Sequence, residues 1–115
     1  MISEGDIVLF RFPQSDLQGG KLRPALLLKK IPSQYDDWLV CMISSQLRHR
    51  IEDFELVILE SDPSFPSTGL KRDSLIRSSR LAVIDSAIIE GTLGMLPPKT
   101  IHDIRAKLSG WIHTR

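Results

Sequence analysis

The sequence predicts a mainly β protein, an antiparallel barrel or strongly curved sheet with a helix packed on it. Short runs rich in β-branched and aromatic residues, separated by turn-forming residues, fill the first two-thirds of the chain. From Pro98 onward the apolar residues follow the spacing of one helix face instead: Ile101, Ile104, Leu108, Trp111 and Ile112. The length of 115 residues predicts one domain over residues 1–115, because two domains would each have too small a core.

The strands are predicted from their composition and from the residues that end them. Residues 5–12 form the first strand, and residues 24–28 form the second, with Pro24 at its start or on an edge. Its unbroken apolar run is typical of a strand packed on both faces. Residues 38–44 and 54–60 are the next two strands, and Trp38 is expected in the core. Residues 74–77 and 81–84 form either two short strands or one bent strand.

Turn-forming residues predict where the chain reverses. Residues 13–22 form a loop that contains Gly19 and Gly20, residues 31–37 form a turn, and residues 61–68 form a loop rich in proline and serine. Residues 87–95 fit a strand or a broken helix, because Gly91 and Gly94 disfavour a long helix.

Composition excludes several classes of protein. Cys41 is the only cysteine, so an intrachain disulfide is excluded, and its apolar neighbours predict a buried thiol. No segment approaches the roughly 20 apolar residues that span a bilayer, and the acidic N-terminus does not resemble a signal peptide. We therefore expect a cytoplasmic protein without membrane contact. The net charge of +1 disfavours coating of nucleic acid by charge alone but permits a local phosphate site.

The common cofactor and metal motifs are absent from the sequence. It has no phosphate-binding Gly-Lys-Ser loop, no dinucleotide fingerprint and no cysteine cluster for zinc. His102 and His113 are expected to face solvent on the predicted helix. His49, inside the basic cluster Arg48-His49-Arg50, is the one histidine that we consider for proton transfer. We expect neither a metal nor a cofactor.

Polar residues stand at the ends of several predicted strands. Arg23 opens an apolar strand, Ser44 and Ser45 end another, and Arg77 interrupts a later one. Each residue taken alone is compatible with an ordinary solvated surface. Because small barrels place their binding sites at the strand ends, the group as a whole favours a phosphate site.

These residues resemble the MazF/PemK family of toxins. Gly5-Asp6-Ile7-Val8, a glycine-containing loop and Arg23-Pro24-Ala25-Leu26-Leu27 resemble the family's opening. Ile43-Ser44-Ser45-Gln46 resembles its Ile-Thr-(Ser/Ala)-Gln segment, and residues 69–77 resemble its Gly-Leu-Lys…Ser-x-x-(Arg/Lys) stretch. Residues 81–85, Gly94 and the terminal helix complete a match that covers nearly the whole chain in order.

The resemblance implies an SH3-like barrel, a homodimer, a cognate antitoxin as partner and sequence-specific cleavage of single-stranded RNA such as mRNA without metal. It assigns catalysis to Arg23 and Ser44. Another branch of the family uses an arginine that corresponds to Arg77, together with an aspartate and a loop histidine. Ser79 stands at the aspartate position and residues 13–22 contain no histidine, so that second arrangement is incomplete here.

The chemistry that the resemblance implies is attack of the RNA 2′-OH on the neighbouring phosphate, which gives a 2′,3′-cyclic phosphate and a 5′-OH. The guanidinium of Arg23 can donate two hydrogen bonds to phosphate oxygens, and Ser44 can donate another. Neither is a general base near neutral pH, so the base stays unassigned. The residues expected to contact RNA are Gln18, Lys21, Ser45, Gln46, Lys71, Arg72 and Ser79, with Tyr35 as a candidate for base stacking.

Two alternatives remain on the same scaffold. One is a toxin that binds and poisons a protein target such as DNA gyrase through its terminal helix, which ends here in Ser109-Gly110-Trp111-Ile112. The other is a degenerate member that keeps the fold and binds the antitoxin without cleaving RNA. Lys71 and Arg72 are also compatible with a solvated loop.

Overall fold

The structure, a computed structural model, describes residues 1–11 and 21–114 and contains one sheet of six antiparallel strands. The strands in chain order are β1 (Asp6–Arg11), β2 (Leu22–Lys30), β3 (Asp37–Ser44), β4 (Leu56–Ile58), β5 (Ser74–Asp85) and β6 (Ile89–Met95). The helices are α1 (Phe65–Thr68) and α2 (Pro98–His113). The order of the strands across the sheet is β4-β5-β3-β2-β1-β6. The predicted fold class, mainly β with a C-terminal helix, is confirmed.

The sheet curves so that its two edges approach each other. Helix α1 follows edge strand β4 in the chain, yet it packs against β6, the strand at the opposite edge. A Cβ atom on Gly94 of β6 would collide with the carbonyl oxygen of Ser67 in α1, and one on Gly69 would collide with the carbonyl of Leu93. Glycine at these two positions therefore permits the contact that draws the edges together.

Alternate residues of the strands fill two apolar clusters. In β2, Leu26 and Leu28 belong to the cluster that also contains the buried face of α2, whereas Ala25 and Leu27 belong to a second cluster with Trp38. The prediction that this strand packs on both faces is confirmed, as is the core position of Trp38. Cys41 is also buried, and burial raises the pKa of its thiol to about 12.

Helix α2 buries only part of the predicted apolar face. Ile101, Ile104 and Leu108 lie in the core, but Trp111 and Ile112 are 60% and 64% exposed. These last two residues continue the predicted apolar face of the helix but lie outside the core, because the final turn of the helix extends past it. The ring of Trp111 instead lies against the ring of Phe54, with centroids 5.5 Å apart. Neither described helix is long and apolar enough to cross a membrane.

Five local predictions differ from the structure or are resolved by it. The predicted loop 61–68 contains α1, where Pro66 sits in the first turn, a position that does not need its missing amide hydrogen. Residues 89–95 are a strand, and the fourth strand is shorter than the predicted residues 54–60.

Pro24 is the third residue of β2, and β2 pairs with β3 only from Ala25 onward. Residues 74–85 form one continuous strand.

Candidate functional site

A bulge in β5 creates the centre of the site. Met42 of β3 pairs with Arg77, but the next residue along β3, Cys41, pairs with Leu81. Residues 78–80 are therefore additional to the β3–β5 ladder, and a bulge of this kind turns side chains away from their regular alternation. Ser78 is buried, whereas Ser79 and Arg80 are exposed.

Beside this bulge lies a cleft of about 470 Å³, which we call the central cleft. It brings together side chains from β2, the end of β3 and the bulge: Arg23, Met42, Ile43, Ser44, Arg77, Ser79, Arg80 and Leu81. Arg23 and Ser44, which are distant in sequence, thus line the same cleft. All three residues that the sequence singled out for catalysis meet here.

A second cleft of about 470 Å³, the loop cleft, adjoins the first one. Arg23, Ile43 and Ser44 line both clefts. The loop cleft also contains five of the residues expected to contact RNA: Lys21, Ser45, Gln46, Lys71 and Arg72. The two clefts therefore form a continuous surface around Arg23 and Ser44.

Positive charge is concentrated on this surface although the whole chain carries a net charge of only +1. Six basic side chains line the two clefts: Lys21, Arg23, Lys71, Arg72, Arg77 and Arg80. Within residues 1–11 and 21–114, no acidic side chain lines either cleft. A surface with this composition attracts a polyanion and can hold phosphate groups.

Arg23 and Ser44 are both available to a ligand. Arg23 is exposed, and within the described part of the chain its guanidinium has no hydrogen-bond or ion-pair partner. Ser44 Oγ accepts a 3.0 Å hydrogen bond from the amide of Gln46. Accepting that bond uses a lone pair and leaves the hydroxyl proton free to be donated, so both residues can act as donors to one anion.

Arg77 is held more firmly than Arg23. Its Nε donates to Oε2 of Glu55 over 3.3 Å, and its Nη2 donates to the carbonyl oxygen of His49 over 3.3 Å and to Ser79 Oγ over 3.4 Å. Only 14% of the Arg77 side chain is exposed. These contacts fix the orientation of the guanidinium and leave a smaller part of it for a ligand.

Glu55 is a buried carboxylate that organises this side of the site. Oε2 accepts hydrogen bonds from Ser79 Oγ at 2.6 Å, from the Ser79 amide at 3.2 Å and from Arg77, while Oε1 accepts one from the Ile51 amide at 3.0 Å. Burial alone raises the pKa of this carboxyl, but the hydrogen bonds from Ser79, Ile51 and Arg77 outweigh it and lower the pKa below the usual range. Glu55 is therefore ionised near neutral pH.

Other residues considered from the sequence lie elsewhere. Gln18 lies outside the described residues. His49 lines neither cleft and contributes its backbone carbonyl, and Tyr35 is exposed in the turn between β2 and β3. His102 and His113 are exposed on α2, as predicted. Across the described ranges no group of three or more histidine, cysteine or acidic side chains is placed to hold a metal ion.

Sequence reasoning missed Glu55 and Arg80. A glutamate inside the run Phe54-Glu55-Leu56-Val57-Ile58 is an acidic residue in an apolar segment, and this was a usable signal that it needs partners. No comparable signal marked Arg80, because its access to the central cleft depends on the bulge.

A family model described as "PemK-like, MazF-like toxin of type II toxin-antitoxin system" matches residues 3–112. The chain belongs to this toxin family. The resemblance inferred from the sequence is thereby confirmed, and members of the family are generally endoribonucleases. A comparison with curated proteins gives no match.

Solved structures of the family share the fold. The Mycobacterium tuberculosis toxin MazF-mt6 superposes with a TM-score of 0.69 at 14% identity, over 96% of this chain and 98% of that one. An endoribonuclease in complex with its cognate antitoxin, from a mycobacterial species, has a TM-score of 0.68 at 14% identity, over 100% of this chain and 98% of that one. The MazE–MazF structure from Deinococcus radiodurans has a TM-score of 0.68 at 22% identity, over 99% of this chain and 98% of that one.

Proposed function

We propose that this chain is a sequence-specific endoribonuclease toxin that cleaves single-stranded RNA without a metal ion. The observation that carries the proposal is that Arg23 and Ser44 line one basic cleft and both have donors free for a ligand. Membership of a toxin family generally composed of endoribonucleases supports the same assignment.

The reaction that suits this cleft is internal transfer at the phosphate. The 2′-oxygen of the ribose attacks the adjacent phosphorus and loses its proton, and the bond from phosphorus to the 5′-oxygen breaks as that oxygen gains a proton. The products are a 2′,3′-cyclic phosphate and a 5′-OH. Arg23 stabilises the extra negative charge on the phosphorane through two parallel hydrogen bonds, and the Ser44 hydroxyl supplies a third.

Arg77 and Arg80 complete the electrostatic environment of the phosphate. Arg77 is held by Glu55, so its positive charge stays in place during the reaction and needs no reorganisation. Arg80 is exposed at the bulge and can follow the substrate. Fixed charge at the reacting phosphate and an exposed arginine beside it together favour the transition state over the bound RNA.

The loop cleft is the proposed path of the RNA beyond the scissile phosphate. Lys21, Lys71 and Arg72 supply backbone contacts, whereas Ser45 and Gln46 can form hydrogen bonds to base edges. Gln18, which was also expected to contact RNA, belongs to the segment outside the described residues. Contacts to the RNA backbone set affinity, and hydrogen bonds to base edges set sequence preference.

The direct test is incubation of purified protein with a long RNA in excess EDTA. We expect discrete fragments that carry a 5′-OH and a 2′,3′-cyclic phosphate, and sequencing of the new 5′ ends gives the cleavage motif. An RNA that stays intact under these conditions, in the presence of correctly folded protein, contradicts the proposal. Products with a 5′-phosphate contradict the internal-transfer mechanism.

The proposed partners are a cognate antitoxin and a second copy of the chain. The basic surface of the two clefts complements an acidic, disordered antitoxin segment, which would cover it by mimicking RNA. Val83, Trp111 and Ile112 are exposed apolar side chains, a composition that suits a subunit contact. Light scattering on the purified protein tests the dimer, and a mass of one chain at all concentrations contradicts it.

The exposed end of α2 also favours a second candidate function, a toxin that binds a protein target such as DNA gyrase. Trp111 and Ile112 would insert into that target, since aromatic residues on an exposed helix end are typical anchors. This candidate predicts gyrase inhibition that is lost in a Trp111→Ser variant, with RNA left intact. The RNA cleavage assay in EDTA separates the two functions.

A further inference from the structure

We propose that Ser79, oriented by the buried carboxylate of Glu55, accepts a hydrogen bond from a ribose 2′-OH and so makes the central cleft selective for RNA. This inference rests on the proposed function, because it concerns a ligand in the same cleft. Glu55 acts as a positioning residue, whereas Ser79 contacts the ligand.

The hydroxyl of Ser79 has a fixed polarity. It carries a single proton, and that proton is donated to Oε2 of Glu55 over 2.6 Å. The Ser79 amide donates to the same oxygen at 3.2 Å, which restricts the side chain further. The Ser79 hydroxyl therefore presents lone pairs to any group that approaches from the cleft.

The carboxylate enforces this polarity. An ionised carboxylate has no proton to donate, so Ser79 can donate toward the cleft only by giving up the shortest of the three hydrogen bonds that Oε2 of the buried Glu55 accepts. Arg77 Nη2 lies 3.4 Å from Ser79 Oγ and engages one lone pair weakly. A further lone pair remains for a ligand on the exposed side of Ser79.

The surroundings of Ser79 select the kind of ligand. The other polar side chains of the central cleft are donors that suit phosphate oxygens: the guanidinium groups of Arg23, Arg77 and Arg80 and the Ser44 hydroxyl. Ser79 is an acceptor next to these donors, so it matches a hydroxyl adjacent to a phosphate. In a nucleic acid backbone that group is the ribose 2′-OH, which DNA lacks.

The test compares the binding of two oligonucleotide pools of random sequence, one of RNA and one with 2′-fluoro groups in place of every 2′-OH. Fluorine keeps the sugar pucker of RNA but has no proton to donate. An Arg23→Ala background slows cleavage so that binding can be measured. We expect this protein to prefer RNA, and we expect Ser79→Ala to reduce the ratio of the two affinities by about two- to tenfold, the effect of one hydrogen bond.

Two further variants separate recognition from folding. Ser79→Thr keeps the hydroxyl and should restore the preference. Ser61→Ala removes an exposed serine that lines neither cleft and should leave the preference unchanged. Glu55→Gln removes the negative charge that holds the Ser79 proton and should lower the preference without adding to the effect of Ser79→Ala.

An unchanged ratio in a folded Ser79→Ala protein overturns the inference, and so does an equal loss of affinity for both pools. If Glu55→Gln does not fold, the Ser79→Ala and Ser79→Thr measurements decide alone. A wild-type protein that cleaves no RNA contradicts the proposed function but leaves this ratio measurable, so the two failures are distinguishable.

Discussion

The Nε atom of Arg77 lies 3.3 Å from Oε2 of Glu55, whose side chain has no exposed area. This ion pair joins β5, close to its bulge, to the turn that precedes β4. The turn is itself tied to the carboxylate, because the amide of Ile51 donates to Oε1. One buried charge thus holds the two chain segments that shape the central cleft.

Replacement of Glu55 tests this structural role. We expect Glu55→Gln to lower the free energy of unfolding near neutral pH by about 1.5–3 kcal/mol, as for loss of a hydrogen bond to a charged group. Urea unfolding followed by circular dichroism measures the change. Glu52→Gln is the matched control, since Glu52 is exposed in the same turn and should shift stability by less than about 0.5 kcal/mol.

The pH dependence of the same pair gives a separate prediction. The pKa of Glu55 is lowered in the folded protein relative to 4.5, so its contribution to stability is complete above the unfolded value and is lost as pH falls through the folded value. The difference in unfolding free energy between wild type and Glu55→Gln should therefore shrink below about pH 4.5. A difference that stays constant or grows in acid would contradict the lowered pKa.

The hydroxyl of Ser44 is the second element of the proposed cleavage site. Ser44→Ala should slow RNA cleavage by about 10- to 100-fold, because a hydrogen bond to the charged phosphorane is lost. Ser44→Thr keeps the hydroxyl and restores the residue of the family pattern, so it should cleave within a few-fold of wild type. Single-turnover rates on one defined RNA measure both, and equal activity of Ser44→Ala and wild type would remove Ser44 from the mechanism.

Substitution by alanine should have opposite effects on the stability of the fold at Gly94 and at Gly110. A Cβ atom on Gly94 would collide with the backbone of α1, so Gly94→Ala should destabilise the fold by about 1–3 kcal/mol. Gly110 lies in α2 with open space around it, so Gly110→Ala should stabilise by about 0.5–1 kcal/mol. Thermal melting of both proteins checks the pair, and a neutral Gly94→Ala would show that β6 and α1 do not touch.

The buried thiol of Cys41 should be unreactive in the folded protein. Burial raises its pKa to about 12, so almost no thiolate is present near neutral pH, and thiolate is the reactive form. A disulfide-exchange reagent should modify Cys41 only after the protein is unfolded in guanidinium chloride. Rapid modification under native conditions would mean that β3 is not in the core.

Much of the fold was predictable because burial leaves a periodic signal. The apolar run 25–28 and the spacing of Ile101, Ile104 and Leu108 reflect packing directly. The exposed end of α2 was not predictable, since the same spacing continues to Ile112 although the core ends earlier. Periodicity reports which face is apolar and not how far the neighbouring elements extend.

The candidate site was predictable only where chemistry shows in the residue type. Arg23, Ser44 and Arg77 stood out as polar groups at strand ends, and the structure places them in one cleft. Arg80 reaches that cleft through the bulge of β5, whose register depends on pairing with β3. The role of Glu55 depends on long-range contacts with Arg77 and Ser79, which no local pattern specifies.

The most direct measurement of the central claim is the single-turnover rate of RNA cleavage in EDTA by wild type and by Arg23→Ala. Because Arg23 is exposed, the variant should melt at the temperature of wild type, yet its cleavage rate should fall by about 10²–10³-fold through loss of charge stabilisation. Lys99→Ala, which removes an exposed positive charge on α2, should cleave like wild type. A folded Arg23→Ala protein that cleaves RNA at the wild-type rate would contradict the proposed mechanism.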